Sequence, residues 1–251
     1  MISTLQPDEF LTDWRDYGLP CQSQPQIIRE LGGGLSNRSF LVQADEQRWV
    51  LRLDSPGAEA LGVDREREYQ IHQLAAEVGL APTCVRADRQ LGFFITQYIE
   101  KELIFTPTRK SEQLDGFYTF FSRLHNLNLD LPSFDYAAQL QRLSGLRNLP
   151  NEILSALEIL RAHPRQGICH HDPNPNNVLF LKERVMMLDW EYAAVGKPIL
   201  DLAGLVHEWS LSPTEVSAKF DTDCESLQAA VTLYAAMSRY WTLEMKRLRS
   251  A

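Results

Sequence analysis

The chain has 251 residues, enough for one large domain or two small lobes built on a substantial core. Its apolar content of 44% and charged content of 23% are those of an ordinary globular protein. The formal net charge of −8 argues against a nucleic-acid partner, which wants a basic face, and is compatible with a cationic substrate as well as with simple solubility.

The first residues, Met1 to Glu9, lack the basic start and apolar core of a signal peptide, and no apolar run approaches the roughly 18 residues that span a bilayer. Residues 8–17 read as a short amphipathic helix with Phe10, Leu11 and Trp14 on one side. Ile27 to Leu31 reads as a strand, followed by Gly32-Gly33-Gly34-Leu35-Ser36-Asn37 and a second strand from Ser39 to Ala44. Glycines between two strands let the backbone approach a ligand, and successive N–H groups can face phosphate oxygens; the alternative is a plain hairpin turn. Gln47 to Leu53 is a third strand, with Trp49, Leu51 and Leu53 on one face and Val50 and Arg52 on the other. Residues 61–78 have the charge density and apolar spacing of a helix ended by Gly79 and Pro82. Strands over 83–87 and 92–97 complete a small antiparallel sheet of five.

From about residue 108 the period becomes helical. Residues 111–127 carry Leu114, Phe117, Tyr118, Phe121 and Leu124 at core spacing, and His125 behind them reads as structural. Signals over 130–149 are mixed. Residues 151–162 form another helix, Pro198 starts one that runs to about Val206, and 222–247 holds one or two more. A β-rich first third followed by an α-rich remainder fits two lobes with a cleft. The four cysteines (Cys21, Cys84, Cys169, Cys224) make no Cys-x-x-Cys pair, so free thiols in a reducing cytoplasm are expected.

The chemistry concentrates in Cys169-His170-His171-Asp172-Pro173-Asn174-Pro175-Asn176-Asn177 and in Val185 to Tyr192. Two prolines forbid a helix in the first stretch, which reads as a rigid loop over a hairpin whose second strand, 185–188, delivers Asp189. Two carboxylates and an amide then converge on one small volume. That is an oxygen donor set for a hard cation, most often Mg²⁺ beside a phosphate.

The pattern His170-x-Asp172-x-x-x-x-Asn177, with an Asp after the next apolar strand, resembles the catalytic and metal loops of the protein-kinase-like fold. Asp189-Trp190-Glu191-Tyr192-Ala193 resembles the small-molecule branch: aminoglycoside phosphotransferases and above all choline, ethanolamine and thiamine kinases. The resemblance covers roughly 27–210. It implies an α+β, bilobal protein-kinase-like fold with a nucleotide-binding lobe over 1–97, a hinge over 98–103 and a mainly helical lobe with a short catalytic hairpin over 104–251. It implies ATP and Mg²⁺ as cofactors and a small hydroxylated metabolite as substrate; on the residues, no membrane and no obligate protein partner are expected.

By the same resemblance Asp172 is the catalytic base, Asn177 and Asp189 hold the metal, and His170 and Asp201 support the loop. Asp189 could instead cap the following helix, and Asp201 could serve the first turn of its own helix. Gly33, Gly34, Ser36 and Asn37 cover the phosphates, with Asn37 standing where protein kinases have a third glycine. No lysine precedes Lys101, so Arg52 must be the phosphate cation, with Arg38 or Arg48 in reserve. Glu68 is assigned as its partner and Glu66 is the rival. Gln97, Tyr98 and Ile99 would meet adenine.

Trp190, Glu191, Tyr192, Glu208 and Trp209 cluster around the metal loop, and aromatic faces with carboxylates suit a cation such as choline or thiamine. The competing role of Trp190 and Tyr192 is core packing, and that of His171 is a solvent-facing loop residue. Other readings are an aminoglycoside or amino-sugar kinase, an HD-type metal phosphohydrolase built on His171-Asp172, and a non-catalytic kinase-fold binding module.

Overall fold

The structure is a computed structural model that describes residues 6–33, 36–55, 57–100, 110–182 and 184–250. Five antiparallel strands form the first part: β1 (Gln26–Gly33), β2 (Asn37–Ala44), β3 (Gln47–Asp54), β4 (Cys84–Asp88) and β5 (Phe93–Gln97). Their order is β1-β2-β3-β5-β4. The strand limits agree with the sequence reading to within a residue or two at most ends. The alternation along β3 divides the sheet as its pattern requires: Trp49, Leu51 and Leu53 are buried on the outer face, while Val50 and Arg52 point into a cleft.

The outer face is covered by the N-terminal segment. α1 (Pro7–Thr12) is shorter than the sequence predicts, because residues 13–18 turn rather than continue the helix. Phe10 stacks on Tyr17 at 5.1 Å and meets Phe93 edge-on at 5.3 Å, and Trp14 and Leu19 close the same apolar layer. This assigns a structural role to residues the sequence left without one.

α2 (Arg65–Glu77) begins later than the expected residue 61, since Asp64 caps it by accepting from the N–H groups of Glu66 and Arg67. Its buried stripe is Glu68, Ile71, His72 and Ala75, spaced i, i+3, i+4, i+7. Ile71, Ala75 and the following Leu80 and Ala81 belong to the large core of the second part, so α2 joins the sheet to the helices.

The remainder contains α3 (Lys110–Leu124), α4 (Tyr136–Ser144), α5 (Asn151–Ala162), α6 (Ile199–Trp209), α7 (Pro213–Phe220) and α8 (Cys224–Arg249). The mixed signals over 130–149 resolve into α4, capped by Asp135 and ended by Gly145 at φ +66°. α7 was not distinguished in the sequence, and the tail is one long helix rather than two. Two small antiparallel pairs carry the chemistry: β6 (Gly167–Cys169) with β9 (Ala194–Gly196), and β7 (Val178–Phe180) with β8 (Val185–Met187). Among the described residues no helix is long and apolar enough to cross a membrane.

Truncating Phe10 to Ala empties a fully buried site between two aromatic rings. The variant should lose about 3 kcal/mol in denaturant titration. A loss below about 1 kcal/mol would mean that the N-terminal segment does not hold the outer sheet face.

Candidate active site

The loop between β6 and β7 is fixed from beneath by one carboxylate. Asp201, in the first turn of α6 and wholly buried, accepts from the N–H of His170 at 3.0 Å, the N–H of His171 at 2.7 Å and Nε2 of His125 at 2.9 Å. Burial alone would raise its pKa, but the His125 hydrogen bond and the backbone donors hold it below the usual range. The histidines lock the loop from above. His170 Nε2–H donates to Leu188 O at 2.9 Å, and its Nδ1 faces the Asp172 N–H at 3.3 Å. His171, at φ +66°, donates from Nδ1 to Tyr192 O at 3.0 Å and accepts the Tyr136 hydroxyl at 2.9 Å. It is buried, not a solvent-facing residue, and its unusual backbone is held by these partners. Gly204 of α6 lies against the Pro173 ring, where any side chain would collide, so a glycine there lets the helix approach the loop closely.

Above this base Asp172 accepts from Asn174 Nδ2 at 2.9 Å and Asn177 Nδ2 at 2.8 Å. Burial pushes its pKa up to about 7, with Asp189 and Glu208 adding to the rise and the two amides opposing it. The amide nitrogen of Asn177 is turned to Asp172, which directs its oxygen the other way. Asp189 follows β8 at φ +55°, and burial raises its pKa against the pull of Arg52. Its Oδ1 is buried without a hydrogen-bond partner among the described residues. An orphaned carboxylate oxygen and an amide side chain bordering one cleft are a fitting donor set for Mg²⁺.

The charge balance of the cleft points the same way. Arg52 is paired with Glu68 through two contacts, one of them at 3.0 Å, and lies 5.0 Å over the Phe94 ring. Glu66, the rival, points elsewhere and pairs with Arg89 and Gln70. Arg65 contacts Glu68 at 2.7 Å, Asp54 at 3.0 Å and Glu191 at 3.5 Å. Asp54, Glu68, Asp189 and Glu191 thus surround two guanidiniums, and since burial disfavours the charged forms of Asp189 and Glu191, a divalent cation there would restore them.

Arg52, Glu68, Asp172, Asn177, Asp189 and Glu191 line one cleft of about 920 Å³. Ser36, Asn37, Arg52, Glu68, Gln97, Tyr98 and Ile99 border its sheet side; Asp172, Asn177 and Asp189 border its helical side. Gly33 ends β1, Gly34 lies outside the described residues, and so does much of the proposed 98–103 hinge.

The substrate candidates divide. Tyr192 and Glu208 line the cleft. The Trp190 ring is fully buried, donates to Met187 O at 3.0 Å and packs 4.7 Å from His170, so it supports the loop. Trp209 is likewise core: it donates to Pro173 O at 2.6 Å and packs on Phe117. Glu191 turns toward the β1–β2 connection, accepting from Ser36 Oγ and Asn37 Nδ2, each at 3.2 Å. Trp190 and Glu191 nonetheless border the cleft, and Trp209 does not.

Sequence reasoning missed Arg65 and the cleft face of α8, formed by Tyr234, Met237, Trp241 and Met245. Their spacing of three and four residues was visible in the sequence. Trp241 Nε1 donates to the Tyr192 hydroxyl at 2.6 Å, joining the two aromatics at the cleft wall.

A five-stranded sheet beside a helical part, with a pinned Asp–Asn loop and an Asp after the next strand, defines a phosphotransferase of the protein-kinase-like fold. The phosphotransferase enzyme family matches residues 27–237, and the chain belongs to it. Protein LicA of Haemophilus influenzae is 27% identical over 209 residues, covering 76% of this chain and 61% of that protein, so the chain spans less than two thirds of that relative. In fold the chain is similar to the choline kinase LicA from Streptococcus pneumoniae, with TM-score 0.75, 19% identity and coverage of 94% and 90%. A LicA structure in complex with AMP gives TM-score 0.73, 19% identity and coverage of 90% and 86%. A Plasmodium vivax ethanolamine kinase gives TM-score 0.75, 14% identity and coverage of 95% and 81%. The HD phosphohydrolase alternative falls with this membership: His171-Asp172 sits in a loop, and the His171 ring is engaged by Tyr136 and Tyr192.

His72, on the buried stripe of α2, is bonded to Pro82 O at 2.8 Å, and burial lowers its pKa to about 4. The folded chain therefore requires it neutral, so its contribution is full above pH 6.5 and is lost as pH falls toward 4, by up to about 1.4 kcal/mol per pH unit. The stability difference between wild type and His72→Gln, measured by urea titration, should shrink over that window. A difference independent of pH would contradict the assignment.

Proposed function

We propose that the chain is an ATP- and Mg²⁺-dependent kinase that phosphorylates the hydroxyl of a small cationic alcohol of the choline or ethanolamine type. The observation that carries this reading is the acceptor end of the cleft, where Asp172 stands beside Glu208 and the aromatics Tyr192, Tyr234 and Trp241. Aromatic faces and one carboxylate recognise a quaternary or primary ammonium group, while Asp172 accepts or orients the hydroxyl proton. A base with its pKa near neutrality suits that transfer. The named activities of the similar LicA and ethanolamine kinase structures agree with it.

The division of labour follows from the side chains. Gln97, Tyr98 and Ile99 border the adenine end, and residues about the 98–103 hinge would divide the lobes at 97 and 104. Arg52, oriented by Glu68, faces the phosphates. Asn177 and Asp189 would hold the cation. Bound Mg²⁺–ATP would supply the transferable phosphoryl group and offset its developing charge, and the protein's share is positioning and electrostatics. Met237 and Met245 give the acceptor end an apolar wall that limits water as a competing nucleophile. An aminoglycoside would be expected to draw more carboxylates there than Asp172 and Glu208.

The test is ATP consumption with Mg²⁺ across choline, ethanolamine, thiamine and several aminoglycosides. Choline or ethanolamine should be turned over, Asp172→Asn should lose at least about a thousandfold in kcat, and Glu208→Gln should raise the acceptor KM about tenfold with ATP KM unchanged. Turnover of aminoglycosides alone, or near-normal kcat in Asp172→Asn, would overturn the assignment.

A further inference from the structure

Arg65 is not explained by the roles above. It is the first residue of α2, directly after the capping Asp64, and its side chain is largely buried. One nitrogen, Nη2, donates to Ser36 O at 2.6 Å, and that same oxygen accepts the Ser55 N–H at 3.0 Å. Nη1 lies 2.7 Å from Glu68 Oε2 and 3.5 Å from Glu191 Oε2, and Nε lies 3.0 Å from Asp54. Glu191 completes the circuit by accepting from Ser36 Oγ and Asn37 Nδ2 across 155 and 154 residues of chain. The start of β2, the end of β3, the head of α2 and the loop after β8 therefore meet at one guanidinium.

Resting on the proposed kinase reading, we propose that Arg65 is a positioning residue, which with Glu191 forms a strap that ties the β1–β2 connection to the metal loop and so sets where Ser36 and Asn37 stand over the nucleotide phosphates. The geometry calls for arginine. A planar fork reaches the Ser36 carbonyl, Glu68, Asp54 and Glu191 at once, whereas a lysine offers a single nitrogen. The same fork touches Glu68, which orients Arg52. The phosphate cation and the phosphate-covering loop are therefore set by one group. Glu191 is the only reach from the metal loop to Ser36 and Asn37 among the hydrogen bonds of the described residues.

The experiment uses the full chain as wild type, Arg65→Met, Arg65→Lys, Glu191→Gln and Arg65→Met/Glu191→Gln. In the nucleotide-free protein, amide hydrogen exchange over residues 37–40 should accelerate about tenfold in Arg65→Met, while β4 and β5 stay as in wild type. The Kd for ADP, by calorimetry, should rise about tenfold, and the acceptor KM should stay unchanged. Arg65→Lys should keep the folded stability yet lose the loop protection, which keeps the test sharp if Arg65→Met folds poorly. Losses in the double variant should fall short of the product of the single losses. Unchanged exchange over 37–40 in both Arg65→Lys and Arg65→Met, or fully multiplicative losses, would overturn the strap. Absence of ATP consumption by the wild type, with the exchange result intact, would sink the kinase reading and leave the strap standing.

Discussion

The site depends on a carboxylate that never meets the reactants. Asp201 is buried beneath the loop and holds the N–H groups of His170 and His171 together with the His125 ring. A loop carrying two prolines and a residue at positive φ has few backbone hydrogen bonds of its own, so its shape must come from outside. Breaking one side of such a buried network costs more than any surface contact could restore, because the remaining donors are left without partners. The position of Asp172 in the cleft follows from a residue twenty-nine further along the chain.

From that anchor the electrostatics organise outward. Burial raises Asp172, Asp189 and Glu191 alike, Glu191 to about 8, while Arg52 and Arg65 oppose the rise of the latter two. Carboxylates whose charge is disfavoured by burial are left for a bound cation to stabilise, while the two arginines are left to face a polyphosphate. The helical part supplies the acceptor end through α8, and the N-terminal segment stiffens the sheet that carries Arg52. Pieces distant in the chain therefore bear on one transfer of charge.

Much of this was legible in the residues. The loop and hairpin could be read because prolines and short apolar runs act locally. Glu68 could be told from Glu66 by period alone, since Glu68 shares the buried stripe with Ile71, His72 and Ala75 and Glu66 does not. Arg65 falls on that stripe too, three residues before Glu68, yet its partners come from β2, β3 and the metal loop and only folding brings them near. Glu191 was assigned to the acceptor because it neighbours aromatics in sequence; one residue's rotation about the backbone turns it to the glycine-rich connection instead. Trp190 and Trp209 show the limit of composition: an aromatic beside a functional loop serves equally well as its floor.

The central claim is that the Asp201-pinned loop places Asp172, Asn177 and Asp189 for phosphoryl transfer. The most direct test is a crystal structure of the chain with Mg²⁺, ADP and choline. The account predicts Asn177 and Asp189 oxygens on the metal and the Asp172 carboxylate within hydrogen-bond reach of the choline hydroxyl, with the ammonium group between Glu208 and the aromatics of α8. A metal held elsewhere, or choline bound away from Asp172, would contradict it.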